Sequence, residues 1–193
     1  MLKKGFLSLL VVLLTASFVS AAQYKIDAVH SQVHFSVAHL VIFKVRGEFT
    51  EFSGVAEADP ATQTLQSVEA SISTASIDTR IEKRDNHLRS DDFFASERFP
   101  QMTFVSKKIS GSGADITVQG TLTIRDQSRD VILKGAYLGS NKDGWGNEIA
   151  GFEATGTINR TDFGLTWNKV LETGGLTVGE EVTIGLEIQA VKQ

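Results

Sequence analysis

The side chains with the most obvious chemical potential are histidines, and three of the four histidines lie close together in sequence, at His30, His34 and His39. In an extended strand His30 and His34 would be about 13 Å apart. Two ligands of one zinc ion each lie about 2 Å from the metal, so this pair cannot chelate it within one strand. His39 has the opposite parity. The chain has no cysteine, which also excludes thiol catalysis and thiolate metal sites. The spacing therefore predicts no metal site.

Nucleophilic and phosphate chemistry find little support in the motifs. The sequence has no G-x-S-x-G elbow, and the neighbours His30 and Ser31 would face opposite sides of a strand. There is also no glycine-rich dinucleotide or P-loop pattern. We therefore predict no catalytic residues. An enzyme remains an alternative hypothesis, which requires His39, His87 and Asp78 to converge as an acid–base pair.

A run rich in both charge signs occupies the segment around residues 78–92. Its ordinary interpretation is a solvated helix face with local ion pairs. The functional alternative is a polar rim at the mouth of a pocket, close to a ligand head group. The residues that this alternative assigns to the rim are Asp78, Arg84, His87, Arg89 and Arg160.

The elements that would position these groups begin after a targeting segment. Lys3 and Lys4 precede an uncharged apolar run over residues 6–18, and small residues follow at 20–22. This pattern predicts a secretory signal peptide over residues 1–22, cleaved after Ala21 or Ala22. The run is shorter than the roughly 20 residues that span a bilayer. Residues 23–193 are then one domain, and a secreted chain without cysteine favours the bacterial periplasm.

The rest of the chain alternates apolar and polar residues with the period of β-strands. In one run Ile116, Val118, Leu122 and Ile124 share a face, and the chain slips parity near Phe52, where we expect a bulge or bend. The alternating runs are 31–39, 43–49, 66–77, 102–109, 114–124, 130–138, 148–158 and 181–191. Only residues 80–99 break the pattern, and they predict one or two short helices. We therefore predict an all-β protein, an eight-stranded antiparallel lipocalin-like barrel with this helical insertion.

The direction of the apolar faces decides what such a barrel does. A membrane barrel turns them to lipid and needs girdles of tyrosine and tryptophan, of which the chain has two each. A soluble barrel turns them inward around either a packed core or one small ligand, and periodicity alone leaves this choice open. The net charge of −4 argues against nucleic acid as a partner.

Several short motifs in order resemble the YceI-like family of periplasmic polyisoprenoid-binding proteins. They are His30-Ser31 with Phe35 and His39-Leu40, residues 45–49 with Phe52 and Gly54, 76–79, 84–90, Asp92-Phe93-Phe94, Phe99-Pro100, 120–125, 160–165 and 178–182. The sequence departs from the family pattern at residues 126–128 and at Ala28. The resemblance covers essentially the whole mature chain.

The resemblance implies a barrel that holds a long isoprenoid lipid, of quinone or polyprenyl type, for transport or storage without catalysis. No cofactor other than this lipid is expected. The residues expected to bind it are Phe35, Val37, His39, Phe43, Val45, Phe49, Ile72, Phe93, Phe94, Phe104, Leu122, Ile124, Phe163 and Trp167. A structural or interaction barrel without ligand is the remaining alternative. The sequence leaves open a homodimer and transient contact with a membrane, but it predicts no stable membrane span.

Overall fold

The computed structural model describes residues 21–170, 172 and 174–193. Most of the expected signal peptide, residues 1–20, therefore lies outside the described residues. The described part of the chain contains eleven β-strands and one α-helix, α1. Their bounds are β1 Ala22–Ile26, β2 Gln32–His39, β3 Phe43–Phe49, β4 Phe52–Asp59, β5 Thr64–Ser73, β6 Ile77–Asp78, α1 Glu82–Arg89, β7 Gln101–Ser112, β8 Asp115–Ile124, β9 Gln127–Lys142, β10 Glu148–Asn159 and β11 Val178–Lys192.

The strands form a closed antiparallel barrel. The ring runs β1-β4-β5-β7-β8-β9-β10-β11 and closes because β1 pairs with both β4 and β11. β2 continues along β11 beyond β1, and β3 pairs with β2. Closure leaves none of these eight strands with a free edge along its whole length. The predicted eight-stranded antiparallel barrel is confirmed.

The alternating pattern places apolar side chains inside the barrel. On β8, Ile116, Val118, Leu122 and Ile124 are buried, whereas the polar residues between them are less buried or exposed. Gly120 interrupts this row, because the ring of Phe104 on β7 fills the space of its missing side chain. A Cβ there would lie 2.5 Å from Phe104 Cζ.

The predicted bend near Phe52 marks a change of strand partner. β3 ends at Phe49 and pairs with β2, whereas β4 begins at Phe52 and pairs with β1. The pattern did not predict β1 and β4 as strands. β1 is only five residues long, and the inward residues of β4 include the small Ala56 and Ala58, which give a weak apolar signal.

The connections give the two ends of the barrel different characters. The helix end carries the β2–β3 hairpin, the segment 79–100 with α1, the β8–β9 turn and the segment 160–177. Within the described residues, the connections at the opposite end are the β4–β5, β7–β8 and β9–β10 turns. The predicted helical insertion contains one short α-helix, followed by turns through residues 90–99.

Candidate ligand cavity

A cavity of about 260 Å³ lies inside the barrel. Its lining comes from inward-facing positions on most of the strands and from the segment after α1. On β11 every second residue from Val182 to Ala190 contributes. The lining side chains are almost all aliphatic or aromatic. Three ionisable residues of the described chain border it: His34 and Glu153 from outward-facing register positions of β2 and β10, and Arg160 from the turn after β10.

Most of the residues predicted to bind a ligand line this cavity. These are Phe35, Val37, Phe49, Ile72, Phe93, Phe94, Phe104, Leu122 and Ile124. Three of their rings form a chain near the helix end: Phe35 and Phe49 have ring centroids 5.8 Å apart, and Phe49 and Phe94 meet edge-to-face at 5.7 Å. Aromatic residues from β2, β3 and the segment after α1 therefore meet beside the cavity.

The other five predicted ligand residues lie outside the lining. His39 and Phe43 form the last pair of the β2–β3 hairpin, which extends beyond the ring of strands, and Phe43 is 66% exposed. Val45 lies on the same protruding part of β3 and is only partly buried. Near its tip β3 has β2 as its only strand partner, because β6 pairs only with Glu48 and Phe49. Phe43 and Val45 share the parity of Phe49 along β3, but their side chains do not line the cavity.

Phe163 and Trp167 belong to the segment between β10 and β11. Phe163 is buried in a short 3-10 turn and packs into the core. Trp167 instead joins a small aromatic group at the helix end. Its ring lies 4.8 Å from that of His87 and 5.4 Å from that of Phe93, measured between centroids.

The prediction missed many lining residues on strands whose alternation it had recognised. Leu133 on β9, Phe152 on β10, and Ile184 and Leu186 on β11 all line the cavity. The same period-2 pattern would have found them. Met102 follows Pro100 at the start of β7, and it lines the cavity as well.

The arginines predicted for the rim donate to nearby backbone carbonyls and side chains. Arg84 donates from Nε to Thr79 Oγ1 at 2.6 Å and from Nη2 to the Thr79 carbonyl at 2.8 Å. Arg89 donates to the carbonyls of Ala75 and Ile77, both at 2.7 Å. These bonds hold the segment around β6 against α1.

Arg160 is the most buried of the rim candidates, with 5% of its surface exposed. Its guanidinium donates to the carbonyls of Gly179 at 2.8 Å, Trp167 at 3.0 Å and Val178 at 3.2 Å, and also to that of Leu165. Burial lowers the pKa of Arg160 from its ordinary value. It borders the cavity, but four of its five N–H groups are used to close the segment 165–179.

The acidic and imidazole candidates have separate partners. Asp78 accepts a hydrogen bond from the backbone N–H of Arg80 at 2.6 Å. His87 pairs with Asp92 at 2.8 Å, and its ring meets that of Phe93 edge-to-face at 5.1 Å. His39 pairs in the sheet with Val178 and Phe43. The side chains of Asp78 and His87 thus have partners outside the proposed trio.

No helix within the described residues is long and apolar enough to cross a membrane.

These features place the protein in the class of closed eight-stranded antiparallel barrels that enclose an apolar cavity. A family model described as the YceI-like domain matches residues 24–190. A UPF0312 protein of Staphylococcus epidermidis is 38% identical over 161 residues, which cover 83% of this chain and 92% of that protein. The chain belongs to the YceI-like family, which confirms the resemblance seen in its motifs.

Solved structures show the same fold. The Campylobacter jejuni YceI protein is 33% identical and superposes with a TM-score of 0.70, covering 81% of this chain and 90% of that one. A polyisoprenoid binding domain from Saccharophagus degradans, implicated in plant cell wall breakdown, superposes with a TM-score of 0.64 over 88% of this chain and 98% of that domain. Its identity of 15% makes this a likeness of fold alone.

Proposed function

We propose that this protein is a lipid-binding protein that holds one long isoprenoid chain, of quinone or polyprenyl type, in the barrel for transport or storage. The observation that carries this proposal is the continuous apolar lining of the 260 Å³ cavity. A hydrocarbon chain requires no polar partner there, and burying its surface supplies about 25 cal/mol per Å². The polyisoprenoid binding domain from Saccharophagus degradans, which has the same fold, supports this ligand class.

The shape of the cavity favours a chain over a compact molecule. The lining residues of β11 from Val182 to Ala190 cover about 27 Å of strand at the usual rise. With strands tilted by 35–45°, this corresponds to roughly 20 Å along the barrel axis. The apolar lining therefore extends along much of the barrel, which suits an extended tail.

The rim favours a lipid whose head group carries no charge. Arg160 is the rim arginine that borders the cavity, and it uses four of its five N–H groups on backbone carbonyls, which leaves little to pair with an anionic head. A quinone or a prenyl alcohol carries no charge, so its head group needs no ion pair with an arginine. We further propose that residues 1–22 direct the chain to the periplasm and are removed there. The intact mass of the purified protein, together with cell fractionation, tests this point.

Organic extraction of the purified protein followed by mass spectrometry tests the lipid proposal. We expect a prenyl-type lipid at close to one molecule per chain. The proposal fails if the protein contains no lipid and a titration of the lipid-free form with quinone or polyprenol gives no uptake.

A matched pair of variants tests whether the ligand lies in the cavity. Val37 lines the cavity, whereas its neighbour Ser36 has the opposite, outward parity on the same strand. Val37→Trp should lower lipid affinity at least ten-fold and leave the melting temperature of the lipid-free protein nearly unchanged. Ser36→Trp should change neither. A solid core would instead make Val37→Trp cost about 1–3 kcal/mol of stability without ligand.

A further inference from the structure

The tip of the β2–β3 hairpin exposes a run of large apolar side chains. We call Leu40–Phe43 the apolar tip; within it Val41 is 71%, Ile42 77% and Phe43 66% exposed. The neighbouring segment adds Val170, which is 79% exposed, and Leu176. The Leu40 N–H donates to the Thr177 carbonyl at 2.9 Å, which fixes the tip against that segment. Contiguous apolar surface of this kind marks an interaction site.

The backbone of the apolar tip is unfavourable for the residues that occupy it. Leu40 and Val41 have φ angles of 52° and 66°, in the left-handed region. Glycine or asparagine adopts this conformation easily, whereas a β-branched residue such as Val41 is an outlier there. The turn itself would therefore be more stable with other residues. The large apolar residues weaken the turn and expose apolar surface, so a role outside the fold accounts for them best.

The exposed charges next to the apolar tip are mainly positive. Lys44 and Arg46 follow it on β3, both are exposed, and neither forms an ion pair among the described residues. The chain as a whole carries a net charge of −4, so this local positive charge runs against the average. On the neighbouring segment the exposed Lys169 and Glu172 add one charge of each sign, and the acids Glu180 and Glu181 lie farther away, beyond Val178, which pairs with His39.

The apolar tip lies at the cavity. Val37 and Val178 both line the cavity, and both are on the strand segments that carry the hairpin and its neighbour. The tip is thus at the helix end of the barrel, just beyond Val37 and Val178, the lining residues of β2 and β11 nearest to it. A surface that contacts the tip therefore lies next to this end of the cavity.

We propose that the apolar tip inserts into the surface of a phospholipid bilayer, with Lys44 and Arg46 against anionic head groups, so that the cavity faces the membrane. Apolar side chains then enter the boundary between head groups and acyl chains, while nearby bases are attracted to anionic lipid. The inference rests on the proposed function for its purpose, because a lipid drawn from a bilayer would enter at this end. Docking itself does not require an occupied cavity.

Flotation with lipid vesicles tests the docking. The parent protein should float with vesicles of phosphatidylcholine mixed with phosphatidylglycerol, and less with phosphatidylcholine alone. The double variant Ile42→Ser/Phe43→Ser should lose at least ten-fold in vesicle affinity. Ile132→Ser is the matched control, because Ile132 is an exposed apolar residue on the barrel wall, and its loss should change vesicle binding little. Melting curves verify that all the variants are folded.

The basic residues have a separate signature. Lys44→Gln and Arg46→Gln should each weaken binding to the anionic vesicles about five-fold, and added salt should reduce this difference. Binding to pure phosphatidylcholine should be unchanged. Equal losses on both kinds of vesicle would contradict the assigned role of these two charges.

Other outcomes overturn the docking proposal and remain distinct from failure of the lipid proposal. A parent that does not float, or tip variants that float like the parent, would overturn the docking. If the parent sediments as a dimer that Ile42→Ser/Phe43→Ser dissociates, and does not bind vesicles, the result would assign the tip to contact with a second copy of the chain. Titration with a short, water-soluble prenyl alcohol measures binding in the cavity without a membrane. If the parent protein floats with vesicles but does not bind this alcohol, only the proposed function is contradicted.

Discussion

Replacing Arg160 with alanine should destabilise the lipid-free protein by about 3 kcal/mol. The guanidinium donates to four backbone carbonyls, those of Leu165, Trp167, Val178 and Gly179. A hydrogen bond from a charged donor contributes about 1.5–3 kcal/mol, and we take the lower value, about 1.5 kcal/mol, for the fully buried contact with Leu165. The other three carbonyls are partly buried and can regain water, so we add only about 0.5 kcal/mol for each. At 2–4 °C per kcal/mol, the melting temperature should fall by roughly 6–12 °C.

Urea unfolding followed by tryptophan fluorescence measures this effect. Trp167 lies in the segment that Arg160 closes, so its emission also reports local release of that segment. Arg98→Ala is the matched control, because Arg98 forms an exposed pair with Asp91 and should contribute about 1 kcal/mol or less. Arg160→Lys should show most of the decrease in unfolding free energy seen for Arg160→Ala, since a lysine ammonium cannot reach four carbonyls in the planar arrangement of a guanidinium.

The result that would refute this reasoning is specific. If Arg160→Ala unfolds at the same urea concentration as the parent but binds lipid much more weakly, Arg160 acts on the ligand head group. The sequence had suggested that role. A loss of stability with unchanged affinity for a neutral prenyl lipid supports the anchoring role.

Three further changes probe single features. Tyr137→Phe should leave the melting temperature unchanged or raise it, because the buried Tyr137 hydroxyl has no hydrogen-bond partner among the described residues; a loss above about 1 kcal/mol would contradict this. Asp27→Ala should cost about 1 kcal/mol at pH 7 in urea unfolding. A hydrogen bond from His30 lowers the pKa of Asp27, so its contribution is present above the unfolded pKa of about 3.9 and should disappear as acidification passes through the lower folded pKa. Gly120→Ala should cost about 1–3 kcal/mol by thermal melting, since its Cβ would lie 2.5 Å from Phe104 Cζ and 2.6 Å from the Val105 carbonyl oxygen; unchanged stability would show that both groups can shift.

The faces of the strands could be predicted from the sequence because strand periodicity is local. Successive side chains alternate sides whatever the strand pairs with, so the inward parity of Phe35, Val37, Leu122 and Ile124 follows from spacing alone. The same parity failed at Phe43. Phe43 is exposed because the β2–β3 hairpin extends beyond the ring of strands at this point. How far it extends depends on the lengths of the neighbouring strands.

The sequence by itself determined the inward faces of most strands and the position of the helical insertion, because apolar periodicity and turn residues act over a few neighbouring positions. Only the tertiary structure decided the roles of the charged residues. Arg160 looks like a free rim charge in sequence, but the carbonyls it binds extend as far as Gly179 on β11. Hydrogen bonds between residues distant in sequence form only when the barrel closes, so no local pattern encodes which donors remain free for a ligand.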